Sequence, residues 1–184
     1  MNQFISNSEQ DTIEYACTLA KSLTTGDILI LSGELGAGKT KFVQGILKNF
    51  DLENEISSPT FTIVNEYTNS NVNIYHFDLY RLENVDEFYA IGGDEYLQKG
   101  ICIFEWGEII EKELKRKYTK ITFEKDPTNL NKRILMSETG RSFLRQNEQT
   151  KIRRVARGVI YLFKKIARQP FEAHGVSRDL EGVF

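Results

Sequence analysis

The stretch Ile28-Leu29-Ile30-Leu31-Ser32 followed by Gly33-Glu34-Leu35-Gly36-Ala37-Gly38-Lys39-Thr40 constrains this chain more than any other part of it. Four consecutive apolar residues describe a strand buried on both faces, which requires helices above and below it and therefore an α/β architecture. The eight residues after Ser32 complete a G-x-x-x-x-G-K-[ST] run. Its glycines let successive backbone N–H groups turn toward one anion. A helix starting near Gly38 adds its N-terminal dipole and unpaired N–H groups. In such a loop the lysine, here Lys39, reaches the β- and γ-phosphates of a nucleotide, and the Thr40 hydroxyl ligates Mg²⁺. Phosphate binding at residues 33–40 is expected, in the strand–loop–helix context the pattern needs.

Around this unit the apolar pattern alternates between helical and strand periods. Ser6-Asn7-Ser8-Glu9 has capping-box spacing, and Ile13, Ala16, Cys17, Ala20 and Leu23 then recur at helical intervals. The helix after the loop extends to about Phe50. Residues 60–67 and 72–77 read as strands joined by the turn Thr68-Asn69-Ser70-Asn71. Asn84 or Asp86 is suited to cap a short helix ahead of Gly92-Gly93. Ile101-Cys102-Ile103-Phe104 is a second buried run, with a charged helix over 108–117, and residues 118–124 and 132–136 supply edge strands. The order predicts α/β: a P-loop NTPase-type mixed sheet flanked by helices.

The net charge of −2 is an average over two unlike segments. Residues 1–140 carry 14 Lys+Arg and 22 Asp+Glu, or −8; residues 141–184 carry 10 and 4, or +6. The expected organisation is a P-loop domain over 1–140 and a basic, helical C-terminal extension over 141–184. In the latter, Ile152, Val155, Ala156, Val159, Ile160, Phe163, Ile166 and Ala167 follow i, i+3, i+4 spacing, flanked by Arg153, Arg154, Arg157, Lys164, Lys165 and Arg168. Such a stripe can pack on the domain, dock on an acidic protein, follow tRNA phosphates or rest on an anionic membrane. The membrane reading is the weakest, because no second anchor accompanies it. No run approaches the roughly 20 apolar residues of a bilayer span. The first residues lack the basic start and apolar stretch of a secretory signal. Cys17 and Cys102 have neither zinc nor redox spacing. A cytoplasmic protein without membrane association is expected.

A phosphate loop needs an acidic partner to hold the metal and position water. Glu105 ends the run 101–105 in the manner of a Walker B strand, with glutamate for the usual aspartate, and Asp78 follows Ile74-Tyr75-His76-Phe77. On that strand His76 reads as packed or hydrogen-bonded rather than catalytic. Four ordered motifs are now assembled: the loop at 33–42, Ser58-Pro59-Thr60-Phe61-Thr62-Ile63-Val64-Asn65-Glu66-Tyr67, His76-Phe77-Asp78-Leu79-Tyr80-Arg81-Leu82, and Ile103-Phe104-Glu105-Trp106-Gly107-Glu108. Over roughly residues 1–140 the chain resembles the bacterial TsaE family, P-loop ATPases of threonylcarbamoyladenosine modification of tRNA. The family's usual Ile-Glu-Trp stands here as Phe104-Glu105-Trp106.

The resemblance implies ATP and Mg²⁺, with Lys39 on the phosphates and Thr40 and Glu105 on the metal. It also implies that Glu9 helps hold the nucleotide base, and that Ser58-Pro59-Thr60 acts as a switch near the γ-phosphate. Asp78 becomes the candidate for orienting the attacking water, and Trp106 lies near the nucleotide or a partner surface. The implied partners are TsaD and TsaB. Pro59 holds Ser58 extended, so that the Thr60 hydroxyl is offered from a stiff strand start. Two other functions share the loop: a small-molecule or nucleotide kinase, and a nucleotide-gated interaction module with negligible turnover. A GTPase is disfavoured, since Asn131-Lys132-Arg133-Ile134 lacks the aspartate of a guanine-reading Asn-Lys-x-Asp.

Overall fold

The computed structural model describes residues 2–53, 56–59 and 62–141. The helical extension expected beyond 141 lies outside the described residues, as does Thr60. Twelve elements follow one another: β1 (Asn2–Ser6), α1 (Glu9–Ala20), β2 (Ile28–Ser32), α2 (Lys39–Asn49), β3 (Val64–Thr68), β4 (Asn73–Asp78), α3 (Val85–Ala90), α4 (Gly93–Tyr96), β5 (Ile101–Glu105), α5 (Glu108–Glu111), β6 (Lys117–Lys125) and β7 (Arg133–Arg141). The strands form one mixed sheet in the order β1-β7-β6-β2-β5-β4-β3. β6, β2, β5 and β4 run parallel, while β3, β7 and β1 join antiparallel at the flanks.

Burial explains why the central strands read as apolar runs. Leu29, Leu31, Ile74, Ile101 and Ile103 face α1 and α2 on one side of the sheet. Ile28, Ile30, Tyr75, Phe77, Cys102 and Phe104 face the layer of α3 and Ile110 of α5 on the other. Cys102 sits in that second layer, where burial pushes its thiol up to about 12. Among the described residues no helix is long and apolar enough to cross a membrane.

Four local expectations need correction. The first helix is capped by Ser8, not Ser6: Ser8 Oγ accepts from Asp11 N–H at 3.1 Å, and Asp11 Oδ2 accepts in return from Asn7 N–H at 2.8 Å. Ser6 instead ends β1, fully buried, its hydroxyl bonded to Ser8 O and Thr12 Oγ1. The strand expected over 60–67 begins only at Val64, because the Pro59 carbonyl closes a turn by accepting from Thr62 N–H at 3.1 Å and Ile63 N–H at 2.7 Å. The charged helix over 108–117 stops at Glu111, since Lys117 already pairs into β6. Finally, β6 and β7 are interior strands; the edges are β1 and β3. Two other readings hold: Asn84 caps α3, its side-chain oxygen accepting from Asp86 and Glu87 N–H, and Asn69 Oδ1 orders the β3–β4 turn by accepting from Asn71 and Val72 N–H.

Helix α2 approaches α1 through Gly45. A Cβ there would lie 2.2 Å from Ile13 O and 2.7 Å from Ala16 Cβ. A glycine inside a helix costs about 1 kcal/mol relative to alanine. Here it permits a close approach of the α2 backbone to the Ile13 carbonyl and the Ala16 methyl of α1, which holds the two helices together beside the loop.

Candidate phosphate-binding site

The parallel strands end on one edge of the sheet, and the loop after β2 opens there. Gly33, Gly36 and Gly38 have φ of +144°, +71° and +101°, which folds residues 33–38 back over the start of α2. A Cβ on Gly33 would also stand 2.7 Å from Phe123 O, so the loop is pressed against β6 where it leaves the sheet. Lys39 and Thr40 form the first turn of α2. Lys39 is 4% exposed, and its Nζ donates to Gly33 O at 2.7 Å and Glu34 O at 3.0 Å. The same ammonium lies 4.0 Å from the centroid of the Trp106 ring. Burial holds the Lys39 ammonium below the ordinary lysine range, while Glu105, Glu108 and Asp78 act in the opposite direction.

The acids reach the loop by register. Asp78, at the end of β4, pairs directly with Glu105, at the end of β5. His76 and Asp78, two residues apart, share the face turned toward α2. Glu105 Oε1 accepts from Thr40 Oγ1 at 2.9 Å and lies 2.9 Å from His76 Nε2. Asp78 is buried; its Oδ1 accepts from Tyr80 N–H at 3.0 Å, and its own N–H donates to Ile63 O at 3.0 Å.

Two non-glycine residues with positive φ flank these acids: Ile63 at +69° and Trp106 at +58°. That conformation is an outlier for a β-branched or bulky side chain, and such strain collects where a functional geometry is over-determined. At Trp106 it turns the chain off β5 and carries the indole across the mouth of the loop, 5.2 Å from the Tyr80 ring.

A cavity of about 280 Å³ joins these parts, lined by residues 35–41 and by Glu9, Ser58, Asp78, Glu105 and Trp106. Glu9 is ion-paired with Lys41 at 2.9 Å on its rim. Gly33 and Glu34 do not line this cavity; their carbonyls accept from Lys39 Nζ at its edge. A smaller cavity of about 90 Å³ adjoins it between Ser8, Thr12, Gly36, the turn residues Leu130 and Asn131, and Arg133 at the start of β7. The remaining sequence candidates thus converge on one place, Thr60 excepted.

Three contributors were not foreseen. Glu108 hydrogen-bonds with Ser32 at the base of the loop. Lys125 Nζ donates to Leu35 O at 2.6 Å, and Arg133 Nη2 to Gly36 O at 3.5 Å. Both cations lie about ninety residues or more along the chain from the carbonyls they meet, and no local pattern announces such contacts.

The oxygens of Thr40 and Glu105 are hard donors of the kind that suits Mg²⁺. Among the described residues no group of three or more His, Cys, Asp or Glu side chains is arranged to hold a metal. A few protein oxygens completed by phosphate and water is how Mg²⁺ is commonly held in phosphate sites.

A family model described as "Threonylcarbamoyl adenosine biosynthesis protein TsaE" matches residues 6–134. The chain is 47% identical over 108 residues to the tRNA threonylcarbamoyladenosine biosynthesis protein TsaE of Rickettsia felis, covering 58% of this chain and 63% of that protein. The match thus spans less than two thirds of that relative. The protein of the same description from Bacillus subtilis is 38% identical over 117 residues, covering 63% of this chain and 73% of its own. Among solved structures, Bacillus subtilis YdiB superposes with a TM-score of 0.58 at 27% identity, covering 85% of this chain and 94% of that one.

Proposed function

The chain belongs to the TsaE family, and on that premise we propose that it binds ATP with Mg²⁺ and hydrolyses it in the cytoplasm, in support of threonylcarbamoyladenosine modification of tRNA, together with TsaD and TsaB. The observation that carries this reading is the convergence of Lys39, Thr40, Glu105 and Asp78 on the cavity at the strand ends. Each part then has a chemical task. The backbone N–H groups of residues 36–40 and the start of α2 receive the phosphates. Lys39, released from the Gly33 and Glu34 carbonyls, transfers its ammonium to the β- and γ-phosphate oxygens. Thr40 and Glu105 would hold Mg²⁺, which when bound neutralises charge developing on the transferred phosphoryl group. Asp78 accepts a hydrogen bond from the attacking water and aims it at the γ-phosphorus. Trp106 covers the ammonium and limits access of bulk water. Glu9 contributes to the base side of the pocket, and the Ser58–Thr60 stretch responds to the γ-phosphate.

Phosphate release from ATP by the chain alone, then with TsaB and TsaD, then with kinase acceptors, tests the reading. Turnover that rises with TsaB and TsaD is expected. Phosphorylation of a small acceptor would turn the assignment to a kinase, and binding without turnover under every condition to a nucleotide-gated module. Asp78→Asn separates binding from chemistry. Its nucleotide affinity should stay within about threefold of wild type while turnover falls about a hundredfold, the lower range for loss of a positioned proton acceptor. Parallel loss of both would reassign Asp78 to the metal or to folding.

A further inference from the structure

We propose that His76 is a positioning residue that locks the Glu105 carboxylate into the orientation from which it, together with Thr40, receives the metal ion; the inference rests on the ATPase reading above. His76 is 0% exposed, and its Nε2 lies 2.9 Å from Glu105 Oε1, the same oxygen that accepts from Thr40 Oγ1. Since a carboxylate oxygen accepts, the ring proton belongs on Nε2. Nδ1 is buried without a hydrogen-bond partner among the described residues.

A packing role does not account for this residue. The neighbours on its face of the sheet include Ile74, Ile101 and Ile103, the last directly paired with it in register, and the Tyr67 ring, stacked at 6.5 Å between centroids. An aliphatic side chain would fill the position without leaving a polar nitrogen unsatisfied, a cost of about 1–3 kcal/mol for a buried group. What only histidine adds is a rigid donor of the right length. The glutamate carboxylate rotates about three side-chain bonds, and two fixed donors from different elements, one on β4 and one on α2, remove that freedom. Hydrogen-bonding partners of metal ligands commonly set ligand orientation in this way, and their removal costs about 10- to 100-fold in metal affinity. The arrangement also couples the Glu105 side chain to β4, the strand that ends in Asp78.

The full chain contains one tryptophan, Trp106, which stands at the cavity and serves as the reporter. Its fluorescence is followed while Mg²⁺ is titrated into protein with a non-hydrolysable ATP analogue, and again for the analogue alone in EDTA. His76→Leu should raise the Mg²⁺ midpoint by about tenfold or more while leaving the metal-free affinity unchanged. His76→Gln, whose amide reaches the position of Nε2, should return the midpoint to within about threefold of wild type. His76→Asn ends near the position of Nδ1 and should behave like leucine. If His76→Leu does not fold, the difference between the Asn and Gln variants decides. Equal Mg²⁺ midpoints in wild type and the Asn or Leu variants would overturn the proposal, as would a folded Gln variant no better than Asn. Wild-type fluorescence indifferent to the nucleotide would overturn the ATPase reading itself, and this inference with it.

Discussion

Lys39→Met is expected to weaken nucleotide binding on the order of a hundredfold, about 3 kcal/mol, as the loss of a charge-assisted phosphate contact requires. The Lys39 ammonium is buried between two loop carbonyls and the Trp106 ring; Lys41, which also lines the cavity, is held on its rim by Glu9. Lys125 and Arg133 hold the outer side of the loop by its Leu35 and Gly36 carbonyls and cannot substitute without releasing them. Lys39→Arg should fail nearly as completely. The space between the carbonyls and the indole suits a compact ammonium, not a planar fork. Burial lowers the Lys39 proton affinity, so the charge is lost at a lower pH than in free lysine, whose value is about 10.4. Nucleotide affinity should therefore decline as pH rises toward that value, and the decline should vanish in Lys39→Met. Calorimetric titration of a non-hydrolysable analogue, with circular dichroism to verify the fold, measures both effects. A dissociation constant within threefold of wild type would remove Lys39 from the phosphate site.

The second large effect concerns stability. Gly45→Val drives a branched side chain into the Ile13 carbonyl and the Ala16 methyl, at distances no relaxation within α2 can relieve. Overpacking of this kind costs about 1–3 kcal/mol, and separating α1 from α2 exposes apolar surface of Phe42, Val43 and Ile46 besides. A loss of about 3 kcal/mol corresponds to a melting temperature lowered by roughly 6–12 °C for a chain of this size. Gly45→Ala should cost less, since improved helix propensity offsets part of the clash by about 1 kcal/mol. Thermal unfolding followed by circular dichroism distinguishes the two. A Gly45→Val midpoint within two degrees of wild type would mean that α1 is free to move aside. It would also loosen the ion pair between Glu9 and Lys41 that α1 and α2 form beside the cavity.

The site was legible in the sequence wherever its residues follow a buried strand. β2 and β5 are unbroken apolar runs, and their ends point to Gly33 and Glu105 because parallel strands finish on one edge. β1 carries no such signal, for the opposite reason. It is a short edge strand whose residues from Asn2 to Ile5 are exposed or half-buried, so neither alternation nor an apolar run marks it. β6 shows alternation at Ile121 and Phe123, yet its interior place depends on pairing with β2, some ninety residues away. The cap moved from Ser6 to Ser8 because Asp11 offers the same reciprocal bonds as a glutamate one turn into the helix, and Ser6 was claimed by the sheet. Lys125, Arg133 and Glu108 join the loop only through tertiary contacts, which is why spacing along the chain was silent about them.

The pairing of Asp78 with Glu105 turns the sheet into a ruler. Adjacent strands stand about 4.8 Å apart, so the separation of the two carboxyl-bearing residues comes in ladder steps and not on a continuous scale. A single residue gained or lost in β4 ahead of His76 would swing His76 and Asp78 together to the opposite face, into the aromatic layer of Phe88 and Phe104. Length changes in the β3–β4 turn at 69–71, or in the connection before β5, leave that ruler unmoved. Insertions should therefore be tolerated in those connections and not between Asn73 and Asp78. Purification yield and nucleotide binding across a set of single-residue insertions would map that boundary directly.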